Sequence, residues 1–175
     1  MALKKRLILP GFFFAIAGIV FLLTPVTVLE IENTDARRCI YRQPVRAGYN
    51  FATFIRHSVH LTPVYEYYTI DKAGRIILTG TRLQDLGWGV PSTFSEKSRF
   101  EEDFLVIEGM NKPIRFIPFR VSHITGPRLL LDGGDRVVEL SSVTEDMDRL
   151  DIRTRRDPRW KQLIRGETDE FPKQE

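Results

Sequence analysis

The chain has 175 residues, 42% of them apolar, 28% charged and 11% aromatic, enough for one ordinary domain with a core of its own. Lys4, Lys5 and Arg6 precede the first acid, Glu30, and beyond them 23 basic residues face 23 acids. The net charge of +3 therefore belongs to the first six residues, which argues against a nucleic-acid-binding domain with a basic face.

Leu7 to Leu29 is a run of 23 residues without a charge. As a helix it would extend roughly 34 Å, enough to cross the hydrocarbon layer of a bilayer. Residues 1–6 are read as a cytoplasmic basic segment and 7–29 as a transmembrane helix. The basic flank sets a single-pass orientation in the cell inner membrane, with the amino terminus cytoplasmic and the main domain extracytoplasmic. The A-x-A match at Ala15-Ile16-Ala17 lies in mid-segment, so the segment reads as an uncleaved signal-anchor. Residues 30–36 read as a linker. Cys39 is the lone cysteine, which leaves the outer domain to be held by its core and not by a disulfide.

Residues 37–165 read as an extracytoplasmic β-domain. Phe51, Thr53, Ile55, His57 and Val59 fall on one side of a period-two segment. Val64 to Ile70 and Arg75 to Thr81 follow as strands around a turn at Asp71-Lys72-Ala73-Gly74. Phe104 to Ile107 leads to a turn at 109–112, and Pro118 demotes the strand 114–121 towards a sheet edge. Arg128–Leu131 and Arg136–Leu140, separated by Asp132-Gly133-Gly134-Asp135, form the clearest hairpin. Asp151 to Thr154 is a closing strand, 158–165 a short helix and 166–175 a frayed tail. About eight to nine short antiparallel strands predict a mainly β fold, a β-sandwich or small β-barrel, preceded by one transmembrane helix.

The densest chemistry lies at His57-Ser58-Val59-His60 and at Glu66. A tight hairpin centred on Leu61-Thr62 would put His57 directly opposite Glu66, close enough for imidazole and carboxylate to meet. Such a pair reads as a register-pinning hydrogen bond, a ligand- or partner-binding position, or a metal site. His57, Glu66, His60 and His123 are the weak metal candidates, because His57 and His60 point to opposite faces of a strand. His57 and Ser58 are adjacent and diverge, and no hydrolase or phosphate-binding motif accompanies them, so no catalytic residue and no cofactor is assigned. Gly87-Trp88-Gly89-Val90-Pro91 reads as a loop that presents Trp88 or folds it back over the domain. Tyr65 and Tyr67 share a face that Tyr68 does not, and the basic cluster Arg153, Arg155, Arg156 and Arg159 reads as a solvated face.

The run His57-Ser58-Val59, the Thr62-Pro63-Val64 after it, Glu66 and the Gly87–Pro91 loop resemble a bacterial and archaeal family known as domain of unknown function eighteen-fifty. The similarity runs from about Phe51 to Trp160, and the chain departs from the family's small residue in carrying Trp88. Members of that family are commonly encoded beside fused permeases of tripartite ATP-independent periplasmic (TRAP) transporters of the TAXI type. The resemblance implies a non-enzymatic accessory subunit or binding module of such a secondary transporter. Its partners would be the permease, its solute-binding protein and the lipid bilayer, with no nucleic acid. His57, Ser58, Glu66, Gly87, Trp88, Gly89 and Pro91 are the candidate binding residues. The alternative is a stand-alone envelope β-domain that binds a small ligand or metal at His57 and Glu66.

Overall fold

The computed structural model describes residues 3–84 and 97–171, with the side chains of the first helix described from Phe13 onward. Helix α1 (Leu3–Leu23) leads through Thr24 into strand β1 (Pro25–Asn33), and β2 (Arg38–Val45) returns antiparallel to it. Next come β3 (Asn50–Arg56), β4 (Pro63–Ile70), β5 (Ile76–Leu83), β6 (Lys97–Glu101), β7 (Phe104–Ile114) and β8 (Ile117–Arg120). The chain closes with β9 (Arg128–Leu131), β10 (Arg136–Glu139), β11 (Arg149–Pro158), helix α2 (Arg159–Arg165) and β12 (Thr168–Asp169).

The fold is mainly β, with 12 strands among the described residues where eight or nine were expected. They form two antiparallel sheets, one ordered β12-β2-β1-β11-β8 and the other β10-β9-β3-β4-β5-β7-β6. Leu29, Ile31, Ile40, Leu150 and Ile152 of the five-stranded sheet share one core cluster with Phe51, Tyr68, Ile70, Leu129 and Leu131 of the seven-stranded sheet. Burial of each such side chain contributes about 1.5–3 kcal/mol. A smaller cluster of Leu83, Leu105 and Ile107, with Val64 and Met110, belongs to the seven-stranded sheet alone.

The largest difference from expectation is at the amino-terminal end. Residues 25–29, assigned to the anchor, and 30–33, assigned to the linker, are strand β1. It pairs along its whole length with β11, from Pro25 opposite Pro158 to Asn33 opposite Leu150. Val28, Leu29 and Ile31 are fully buried there. A short uncharged run suits a membrane span and a doubly covered central strand equally well. The β-branched Val26, Thr27 and Val28 after Pro25 favour the strand. Helix α1 consequently stops at Leu23. Among the residues described with their side chains, which in α1 begin at Phe13, no helix is long and apolar enough to cross a membrane.

Two smaller differences follow. Residues 109–112 are not a turn but part of a continuous β7, in which Gly109 adopts a φ of 74° and the ladder shifts register opposite Leu78–Gly80. The tail beyond 166 is not frayed as far as it is described: β12 pairs with β2, and Phe171 is buried beside the Tyr41 ring, 5.5 Å between centroids. Cys39, free and half-buried in β2, has its thiol pKa raised chiefly by burial. Two local rules hold. β8 is an edge strand, where the missing N–H of Pro118 is tolerated, and β9 and β10 form the expected hairpin.

The two ends of the molecule differ in character. A Cβ added to Gly74 would lie 2.6 Å from Thr27 Oγ1 and 3.4 Å from Arg156 Cγ, so the β4–β5 turn sits at the end where α1 enters and α2 leaves. Strand β4 runs from Pro63 to that turn. The β3–β4 loop is therefore at the opposite end, roughly 23 Å away.

Candidate functional site

Strand β3 ends at Arg56, which pairs with Pro63. Proline has no N–H to give a ladder, and it serves here as the first residue of β4. The turn is therefore the loop 57–62, closed by His57 N–H to Thr62 O at 2.8 Å and Leu61 N–H to His57 O at 2.9 Å. Leu61 takes a left-handed φ of 55°, an uncommon conformation for a bulky side chain. His57 Nδ1 weakly accepts from the N–H of Val59 at 3.3 Å, and its ring stacks on that of His60 at 5.5 Å. Ser58, Val59, His60 and Leu61 are exposed and His57 is half-buried.

This loop overturns the His57–Glu66 pair drawn from a tight hairpin. The observed register sets Thr53, not His57, opposite Glu66. Glu66 lies on the core-facing side of the seven-stranded sheet, between Thr53 on β3 and Thr81 on β5. The Tyr68 hydroxyl donates to Glu66 Oε2 at 2.7 Å. Burial first, and then the Glu66 carboxylate, push the Tyr68 hydroxyl far above the ordinary tyrosine range. Glu66 is thus a half-buried carboxylate pinned from its own strand, and His57 belongs to an exposed loop.

A second loop joins the first at the same end. Arg56 N–H donates to Thr125 O at 2.8 Å, which sets residues 122–126 beside the start of loop 57–62. His123 is exposed there, with its N–H bonded to Asp146 Oδ1 at 3.0 Å, and Ile124 projects beside it. The protein's three histidines therefore sit on two adjoining loops together with the exposed apolar side chains Val59, Leu61 and Ile124. Among the described residues no group of three His, Cys, Asp or Glu side chains could hold a metal ion. Gly87, Trp88, Gly89 and Pro91 lie outside the described residues. Their described flank, Gln84, donates its N–H to Pro63 O at 3.2 Å, at the base of the histidine loop.

The outer face of the seven-stranded sheet carries a feature that sequence reasoning missed. Tyr65 and Tyr67 do share this face, their rings stacked at 6.5 Å, and Phe54 approaches Tyr65 at 4.9 Å. Beside Tyr67 is a groove of about 310 Å³ lined by Thr79, Gly80, Arg82, Arg99 and Glu108. The Arg82 guanidinium lies 4.1 Å from the Phe104 ring, and Arg99 pairs with Glu101 and Glu108. Gly80 makes room for this surface, since a Cβ there would meet Ile107 O at 2.8 Å. The basic cluster is also less solvated than expected. Arg153 pairs with Glu32, Arg153 and Arg155 each reach buried Glu30 at 3.8 Å, and Arg42 meets Glu30 at 2.9 Å.

An antiparallel two-sheet β protein with an amino-terminal helix at one end and a histidine-bearing loop pair at the other is the class these features define. The chain belongs to the family described as domain of unknown function (DUF1850), whose family model matches residues 51–140. The matched stretch takes in the seven-stranded sheet and β8, and leaves α1, β1, β2, β11 and α2 outside it. Comparison with curated proteins and comparison with solved structures each returned no match.

Proposed function

We propose that the protein is a non-enzymatic accessory subunit of a TAXI-type TRAP secondary transporter, anchored beside the permease in the cell inner membrane. Its two sheets form a β-sandwich on the outer side. The observation that carries the reading is α1. Every side chain described from Phe13 to Leu23 is apolar or glycine, and all are exposed around the helix. A helix apolar on all sides needs lipid or other membrane helices as its surroundings. Lys4, Lys5 and Arg6 precede it, which favours an amino terminus on the cytoplasmic side.

In this arrangement α1 packs on the permease. The far end, where Val59, Leu61 and Ile124 project, meets the solute-binding protein. The test replaces α1 by an unrelated single-pass helix that keeps the domain in the membrane, and measures solute uptake by cells that depend on the transporter. Uptake well below that of the native chain is expected at equal protein level. Unchanged uptake would reduce the helix to a tether and contradict the subunit reading.

A further inference from the structure

The geometry points to α2 as a lipid-interface element, with Trp160, Leu163 and Ile164 resting in the headgroup boundary of the outer leaflet. This rests on the membrane-anchor reading of α1 and adds a second contact to it. The first observation is that α2 is amphipathic inside out. Trp160, Leu163 and Ile164 stand at i, i+3 and i+4 on one face and are 39%, 72% and 76% exposed. The side-chain amide of Gln162 is turned inward, with neither its nitrogen nor its oxygen hydrogen-bonded. A helix resting against a domain in water would bury the apolar stripe and expose the amide.

The second observation is that α2 is held in this pose beside α1. The Arg159 N–H donates to Thr24 O at 3.0 Å, and its guanidinium covers the Phe21 ring at 4.3 Å. Asp157, 4% exposed at the end of β11, faces Arg165 at 3.6 Å and Lys161 at 3.9 Å. Helix α2 thereby starts against the last turn of α1, whose side chains are themselves apolar and exposed. The third is length. With residues 25–29 in β1, the uncharged part of α1 is Leu7–Leu23, 17 residues, or roughly 25 Å against a hydrocarbon core of roughly 30 Å. A short span draws its flanking elements into the interface. The fourth is charge: α2 carries Arg159, Lys161 and Arg165 and no acid, and Asp157 offsets a single charge. The helix stays net positive, which suits lipid phosphates, and Trp160 is a residue type favoured at that depth.

The test uses the full chain in phospholipid vesicles whose acyl chains are brominated near the headgroup. Trp88→Phe leaves Trp160 as the only tryptophan, and the difference between the native chain and Trp160→Phe reads the same quantity without touching residue 88. Strong quenching of Trp160 is expected, weakened by Leu163→Asp with Ile164→Asp while the chain still floats with the vesicles. A chain that floats with Trp160 unquenched overturns the inference about α2 and leaves the anchor standing. A chain that does not float overturns both.

Discussion

The Tyr68 hydroxyl meets Glu66 at 2.7 Å on the inner side of the sheet, next to Thr53, which is itself buried. A hydrogen bond to a carboxylate in such surroundings is worth more than a neutral one. Tyr68→Phe should therefore cost about 2 kcal/mol, read as a lower denaturant midpoint at neutral pH. An unchanged midpoint would mean that Glu66 is satisfied without it. The same site makes a pH prediction. Burial raises the pKa of buried Tyr41 as it does that of Tyr68, and it pushes Tyr49 up to about 12. Their hydroxyls stay protonated in the folded chain when the unfolded chain has already ionised them. Stability is then fully present below about pH 10 and falls as pH rises above it, by about 1.4 kcal/mol per pH unit for each of Tyr41 and Tyr68. Tyr68→Phe should flatten that slope, and an equally steep loss in the variant would assign it elsewhere. The residue types at 57 and 66 were legible in the sequence, but their pairing was not. Register depended on how long a loop the chain would take before Pro63, and a small change in loop length replaces one cross-strand partner by another.

At the scale of elements, the turn between β4 and β5 locks the seven-stranded sheet to β1 and β11 through Gly74. Its φ of 79° favours glycine, and an added Cβ would press on Thr27. Gly74→Ala should cost at least about 1–2 kcal/mol from the left-handed backbone alone, before the clash is counted, measured by chemical denaturation. A variant as stable as the native chain would show the turn to be free to move. Phe171 joins the core shared by the two sheets, beside the Tyr41 ring. Phe171→Ala should lower stability by about 3 kcal/mol, whereas a truly frayed tail would lose nothing. The hairpin β9–β10, the edge position of β8 and helix α2 were legible because proline, glycine and alternation act locally. Strands β1 and β2 were not. The first residues of β1, Pro25 to Leu29, carry no charge and continue the apolar run of α1, so in the sequence they merge with a membrane span, although Val28 and Leu29 are buried in a central strand. The docking of β12 was equally hidden, since a two-residue strand has no pattern and acquires its place from Arg42 and Tyr41 on β2.

On the scale of the whole molecule, the two ends differ in what they expose. One end carries α1, α2 and their exposed apolar side chains; the other carries the loops 57–62 and 122–126. The family match begins at β3 and ends at β10, so the histidine loop is within the shared unit and both helices are outside it. Under the proposed function, Val59→Asp with Ile124→Asp, both at exposed positions, should leave folding intact and weaken capture of the transporter's solute-binding protein, checked by circular dichroism and pull-down on the same sample. Undiminished capture would move the contact to the Tyr67–Arg82 groove. The most direct measurement is purification of a tagged full-length chain in mild detergent, with identification of the proteins that accompany it. A polytopic permease is predicted to return with the native α1 and to disappear when α1 is exchanged for another membrane helix. Recovery of the chain alone, also after mild crosslinking, would contradict the assignment as a transporter subunit.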